Sequence, residues 1–527
     1  DAFAYLEIVR GGKGQPFATK SVLGWTAMGA TANQRSKTKS IQVKACVACP
    51  VLSSGQDLEV SQEDLKFLSM MKANIQVSEN EGSYQMPLPF KERPNLPDNR
   101  IQAIGRLNSL MNKFKRDNKF EQKYREFINE LIENKHAEEI TDGKESTPGE
   151  SWYIPHFAVT HPKKDKLRVV FDCSAKYNDI SLNDHLLQGP DLVNNLTGIL
   201  LRFRQWPVAL ACDIEKMYYN FYVNPEDRNF LRFVWPDSET GVVRDYRMTV
   251  HIFGAKSSPA VATYGLRHLA SSQKVKFPEA ANFIIRNFYV DDGVISVKDS
   301  ETAISLVNDA IDLCKVGNLR LHKFVSNSKH LIEEIPGSER NPSVEDLFNN
   351  STHRTLGMEW TLATDRLTFT SNLEQKPATR RGILSTVAQI FDPLGLLSPY
   401  TLMGKNILQR INNSGVDWDE EIPVELQQEW KNWLNELPAL SELQIERCLQ
   451  PESFGAVTHS ELHHFADASF NGISACSYLK VVNQEQDIHC SLVMAKSRVI
   501  PSKGKLTIPR LELQAALMAT QLSSTLH

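Results

Sequence analysis

The sequence has no apolar run of 18 residues or more, so nothing in it reads as a membrane-spanning helix. Positive charge is not in excess. The 59 Lys and Arg stand against 63 Asp and Glu, a formal net charge of −4, so any surface for a polyanion has to be a local patch. Cysteine is sparse: eight residues in 527, spread as reduced thiols of an intracellular protein are rather than as a disulfide framework. Cys46 and Cys49 have C-x-x-C spacing but no second pair or histidines near them, which favours incidental thiols over a zinc site. Gly11-Gly12-Lys13-Gly14 lacks the G-x-x-x-x-G-K-[ST] spacing of a phosphate loop. No Asp-Thr-Gly or Asp-Ser-Gly occurs, so these residues alone cannot build a complete aspartic protease site. Asp1-Ala2-Phe3 carries neither an initiator Met nor a signal peptide, and the chain reads as an internal fragment.

A 41% hydrophobic share with 23% charged residues is ordinary soluble globular composition, in a chain long enough for several domains. The most informative stretch is Phe288-Tyr289-Val290-Asp291-Asp292-Gly293-Val294-Ile295-Ser296-Val297: apolar residues enter two adjacent carboxylates and apolar residues leave, the pattern of a hairpin with an acidic tip. Two neighbouring aspartates are either solvated there or hold cations. A third carboxylate, Asp213, ends another apolar, strand-like run, Pro207 to Ile214. Three carboxylates at the ends of adjacent strands can hold two Mg²⁺ ions, the arrangement used for in-line phosphoryl transfer.

Asp213 together with Tyr289-Val290-Asp291-Asp292 resembles the palm of a reverse transcriptase. Arg168-Val169-Val170-Phe171-Asp172, Ser181-Leu182-Asn183-Asp184, Gly189-Pro190-Asp191-Leu192 and Asp213-Ile214-Glu215-Lys216-Met217 resemble, in order, the Pol polyprotein of BEL/Pao long-terminal-repeat retrotransposons. The resemblance implies an α+β fold: a right-hand polymerase with fingers, palm and thumb or connection, followed by a truncated ribonuclease H-like α/β domain. Residues 1–60 read as the C-terminal remnant of a retropepsin-like protease and a linker, from Leu23-Gly24-Trp25; residues 61–150 as a helical extension of the fingers; 151–330 as fingers and palm; 331–455 as primer grip and thumb or connection; and 456–527 as the partial ribonuclease H-like domain. In residues 99–134, Leu107, Leu110, Phe114, Tyr124, Ile128 and Leu131 recur at helical spacing. The basic residues between them form a solvated face or a phosphate-facing one.

The implied function is RNA-directed DNA polymerisation with two Mg²⁺ ions, Mn²⁺ being a possible substitute, on an RNA template, a DNA primer and their hybrid, with dNTPs as substrates. Asp213, Asp291 and Asp292 would hold the metals, helped by the Ile214 carbonyl. Lys323 would be a general acid near the leaving pyrophosphate. Arg168 would grip the triphosphate with one of Lys163, Lys164 and Lys166. Tyr218 is either a ring under the sugar that excludes a ribose hydroxyl or a core aromatic. Phe253 and Gly254 open the second palm motif, with Phe where many retroviral enzymes carry Gln. Gly357, Met358, Glu359 and Trp360 resemble a primer grip. Ile383 to Gly395 has the wording of the Pao region catalogued as a peptidase, but supplies no nucleophile or metal cluster. Asp467 and Glu512 match the first two metal ligands of a ribonuclease H site; without the later acids, hybrid cleavage is not expected, and the last roughly 65 residues are expected to be the least stable. The resemblance places the protein inside cells, in cytoplasmic virus-like particles, alongside other parts of the polyprotein and on no membrane. The alternatives are a decayed or domesticated fragment that binds nucleic acid without turnover, and an aspartic protease, which the missing triplet disfavours.

Overall fold

The computed structural model describes residues 61–77, 82–141, 148–161, 164–237, 240–348, 352–370, 373–374, 376–451, 453–502 and 506–526, preceded by three short strands. Those strands, Glu7–Val9, Phe17–Ser21 and Gly24–Met28, form an antiparallel sheet in chain order within a separate compact unit. Gly11 to Gly14, Cys46 and Cys49 lie outside the described residues.

The second unit contains Ser61 to the end. Its helices Arg100–Phe114 and Asn118–Glu133 form where the apolar spacing places them, and bury Leu107, Leu110 and Phe114 on one and Phe120, Tyr124, Ile128 and Leu131 on the other. These side chains share a core with Trp152, Phe171 and Trp235. Arg106, Lys113, Lys115, Arg116 and Lys119 stay exposed on the outer faces, as a solvated or phosphate-facing stripe requires. Against this core lies the hairpin His156–His161 and Lys164–Phe171, with Val159 opposite Arg168.

The central sheet is antiparallel and four-stranded, in the order Phe288–Tyr289, Asp292–Val297, Val208–Ile214, Leu321–Ser326. Val208–Ile214 is apolar at every position but Asp213 because both of its faces are covered: Ala209, Leu210, Ala211, Cys212 and Ile214 are all buried. After the buried run Ala209 to Cys212, Asp213 is where this strand meets water again. A second sheet of four strands, Thr352–Thr355, Met358–Thr361, Arg366–Thr368 and Ile445–Glu446, follows. Three long strands, Val457–Ala468, Ile473–Asn483 and Ile488–Arg498, then pair antiparallel in chain order. The helix Ile508–Leu526 packs on the first two of them and buries Leu511, Ala515, Met518 and Leu522 at helical spacing.

Candidate active site

Strand Phe288–Tyr289 reverses through Val290 and Asp291, with Tyr289 opposite Asp292. A two-residue connection between twisted antiparallel strands favours a primed turn, with positive φ at its first residue. Val290 supplies it, at φ +58, although β-branched residues resist that conformation. Such strain persists where the surroundings over-determine it, commonly at functional turns. Opposite Phe288, the residue at 293 has to be small: a Cβ on Gly293 would lie 2.5 Å from the Phe288 ring and 3.0 Å from Cys212 Sγ.

Pairing of the two inner strands puts Asp213 directly opposite Asp292, and the Ile214 N–H donates to the Asp291 carbonyl at 2.9 Å. All three aspartates therefore stand at one end of the sheet. Desolvation, with the charge of Asp213 adding to it, raises the Asp291 carboxyl; Lys323 and Arg168 oppose the shift. Desolvation and the charges of Asp291 and Asp213 lift Asp292 to about 7. Asp213 Oδ2 accepts from His322 Nε2 at 3.1 Å and from the Lys323 ammonium. Among the described residues no three His, Cys, Asp or Glu side chains converge as a ready-made cation site, and the Asp213 carboxylate is engaged by the His322 ring and the Lys323 ammonium. By chemistry the residues fit a hard divalent ion: they offer carboxylate oxygens whose mutual repulsion a bound cation relieves.

The ring of Tyr218 lies 4.4 Å from that of Phe253, tilted by 46°, and the phenol is pushed up by burial and by the charge of Asp291. Tyr219, not Tyr218, is the buried neighbour. Phe253 is 48% exposed, so the pair forms a wall beside the carboxylates rather than core. Gly254 sits at φ +114, and a Cβ there would meet the Phe171 carbonyl at 2.0 Å. The loop is braced by Asn183, whose Nδ2 donates to the Gly254 carbonyl at 3.0 Å while its Oδ1 accepts from the Lys256 N–H at 2.9 Å. Arg168 is exposed on the return strand and within electrostatic reach of Asp291. Lys163 lies outside the described residues, as do the side chains of Lys164 and Lys166.

Two sets of residues singled out in the sequence have partners in the structure that the sequence did not show. Lys323, expected at the leaving group, is paired with Asp213. The expected primer grip is only partly at the surface: Met358 is 2% and Trp360 0% exposed, and Trp360 Nε1 donates to Asp365 at 2.9 Å. Those two side chains are core, because strand alternation turns them inward. The hairpin turns through Leu356-Gly357, both at positive φ, and Glu359 beside it pairs with Arg354 at 3.2 Å. His322 and Asn183 had no role assigned from sequence. His322 joins Lys323 at Asp213 through an irregularity in its strand, and Asn183 gave only its place in Ser181-Leu182-Asn183-Asp184 as a signal. Asp467 on its strand and Glu512, past the first turn of the last helix, are both exposed, on elements that pack together.

Residues 379–527 match the family described as Pao retrotransposon-like RNaseH-like domain. The resemblance to Pao retrotransposon proteins stands. The match begins ahead of residue 456, and its description names an RNaseH-like domain and no peptidase. No curated protein matches the chain. Among solved structures, the foamy viral protease–reverse transcriptase dRH in complex with ds DNA aligns with a TM-score of 0.48 and 13% identity over 89% of this chain and 70% of that one. The foamy viral protease–reverse transcriptase in complex with RNA/DNA hybrid aligns with a TM-score of 0.49 and 14% identity over 89% of this chain and 54% of that one. The mixed α+β class read from the sequence is the observed one, with the RNaseH-like part at its C-terminal end.

Proposed function

We propose that this Pao-type chain is an RNA-directed DNA polymerase. The observation that carries the reading is the register of Asp213 against Asp292, with Asp291 at the adjoining turn. In this reading Asp213, Asp291 and Asp292 would hold Mg²⁺, or Mn²⁺ in its place, and the bound ions would supply charge neutralisation for attack of a primer hydroxyl on a dNTP. Arg168, whose planar fork suits phosphate oxygens, orients the triphosphate from the hairpin above. Tyr218 and Phe253 form the wall on which the sugar rests, and the Gly254 backbone admits the nascent base pair closely. The partners are an RNA template, a DNA primer, dNTPs and other parts of the polyprotein; the C-terminal domain, with Asp467 and Glu512 as its acids, engages hybrid without cutting it.

Primer extension on an RNA template with Mg²⁺ tests the proposal. The expected result is dNTP incorporation that Asp213→Asn or Asp291→Asn abolishes while template binding persists. Incorporation at near-normal rates by either variant removes that residue from the site, and no incorporation by the unaltered chain favours a decayed fragment.

A further inference from the structure

The strand Leu321–Ser326 runs antiparallel to Val208–Ile214 with His322 opposite Asp213, but its register shifts before Val325, which lies opposite Ala211. In an unbroken strand, His322 and Lys323 would point to opposite faces of the sheet. Here both reach the same atom, Asp213 Oδ2. The device is a bulge in which Lys323 takes φ +54, a left-handed conformation unfavourable for any residue with a Cβ. The next residue, Phe324, is fully buried. A strained backbone that aims an ammonium at a carboxylate has a local electrostatic reason: three aspartates crowd the end of this sheet, and Lys323 opposes the repulsion felt at Asp291 and Asp292. The Lys323 side chain is 49% exposed, so the flexible stem has an open route away from Asp213.

We propose that Lys323 is the resident counter-cation of the carboxylate site, neutralising Asp213 while no divalent ion is bound and giving way when one arrives. Ion loading then frees the ammonium at the moment a triphosphate comes into reach, so the two positive charges are held in turn and not together. The inference rests on the polymerase reading, because it takes Asp213 as a metal ligand. It makes Lys323 a competitor of the ion, where a group acting only on the leaving phosphate would leave ion affinity unchanged.

The test uses the full chain without nucleotide or nucleic acid, and Mn²⁺ as probe, read by calorimetry and by the spin signal of free Mn²⁺. Lys323→Met removes the charge; Lys323→Gly removes it while suiting the backbone at φ +54, and guards against a folding defect. Both are expected to bind Mn²⁺ about fivefold more tightly than the unaltered chain, the scale of a partly exposed ion pair. In the unaltered chain, Mn²⁺ is expected to accelerate acylation of Lys323 by an amine reagent, followed by peptide mass spectrometry, while exposed Lys315 reacts at a constant rate. Equal Mn²⁺ affinity in all three proteins, or unchanged acylation of Lys323, overturns the proposal and leaves the polymerase reading intact. Mn²⁺ binding that survives Asp291→Asn belongs elsewhere and overturns it too. No Mn²⁺ binding in any of the three overturns both readings.

Discussion

His156 is buried between Tyr124 and the backbone of Val234, and its two ring nitrogens have fixed roles. A carbonyl only accepts, so Nε2 donates to Val234 at 3.2 Å and Nδ1 accepts from the Tyr124 hydroxyl at 2.5 Å. Burial pulls the imidazole down to about 4, and does the same to His251. Between that value and the ordinary 6.5 the unfolded chain binds more protons than the folded one, so both histidines make stability rise with pH across this window. Replacing His156 by Gln should flatten the dependence between about pH 4 and 6.5 relative to the unaltered protein, as urea midpoints at stepped pH would show; identical slopes would mean the ring titrates normally. Tyr218 was legible as an aromatic beside Asp213, but its contact with Phe253 was not, since 35 residues separate them and no periodicity links them. That contact makes a joint prediction: Tyr218→Ala should raise rNTP relative to dNTP incorporation, and Phe253→Ala should do so less, by loosening the Tyr218 ring. An unchanged ratio in both would make the pair structural packing.

The acidic hairpin was legible as an element because its apolar flanks and paired carboxylates have few other uses. Its turn type was not. Asp-Gly suggests itself as the turn, yet the chain reverses two residues earlier, through Val290-Asp291, and leaves Asp292 paired with Asp213's strand. Preference tables resist a β-branched residue at φ +58, and tertiary packing overrides them. Val290→Gly should therefore stabilise the fold by up to about 1 kcal/mol while lowering polymerisation, because the turn that aims Asp291 loses its stiffness. Gly293→Ala should destabilise by about 1–3 kcal/mol, since its methyl group meets the Phe288 ring and Cys212 Sγ in a packed sheet. Chemical denaturation of both variants separates the two effects. The bulge at Lys323 belongs to the same class of hidden feature: Leu321-His322-Lys323-Phe324 reads as ordinary strand, and only the shifted register brings adjacent side chains to one carboxylate.

At the scale of the whole second unit, vocabulary and packing divide the chain differently. The wording changes near residues 331 and 456, but one cluster of buried side chains joins Phe203, Ala209 and Ala211 of the central sheet region to Trp360, Leu397 and Trp433, and onward to Ile473, Met494, Leu511 and Ala515. Two buried arginines lie beside that cluster. Arg447, 0% exposed, pairs with Asp365 at 2.6 Å and donates to the carbonyls of Phe203, Trp206 and Pro207. Arg204 donates to the carbonyls of Arg447 and Val493, at 3.1 and 2.8 Å. The lead-in to the Asp213 strand, the Trp360 hairpin and the last sheet are thus fastened at one point, which sequence could not reveal because its partners are mostly backbone carbonyls up to 289 residues away. Arg447→Met keeps the volume but leaves the Asp365 carboxylate, 25% exposed and raised by burial, without the arginine that holds it down, and takes a donor from the carbonyls of Phe203, Trp206 and Pro207, the last of which keeps Asn327. Losing one partner of a fully buried pair costs roughly 3–5 kcal/mol, and the solvent contact of Asp365 puts this loss below that. The last sheet has the least to fall back on, since its outer side leaves Phe465 58% and Tyr478 36% exposed. Hydrogen exchange in Arg447→Met should therefore accelerate first in Val457–Arg498 and only later in the helices Arg100–Phe114 and Asn118–Glu133, which pack in the other cluster. Uniform acceleration throughout would mean that the second unit opens as a single body and that the arginines fasten no joint.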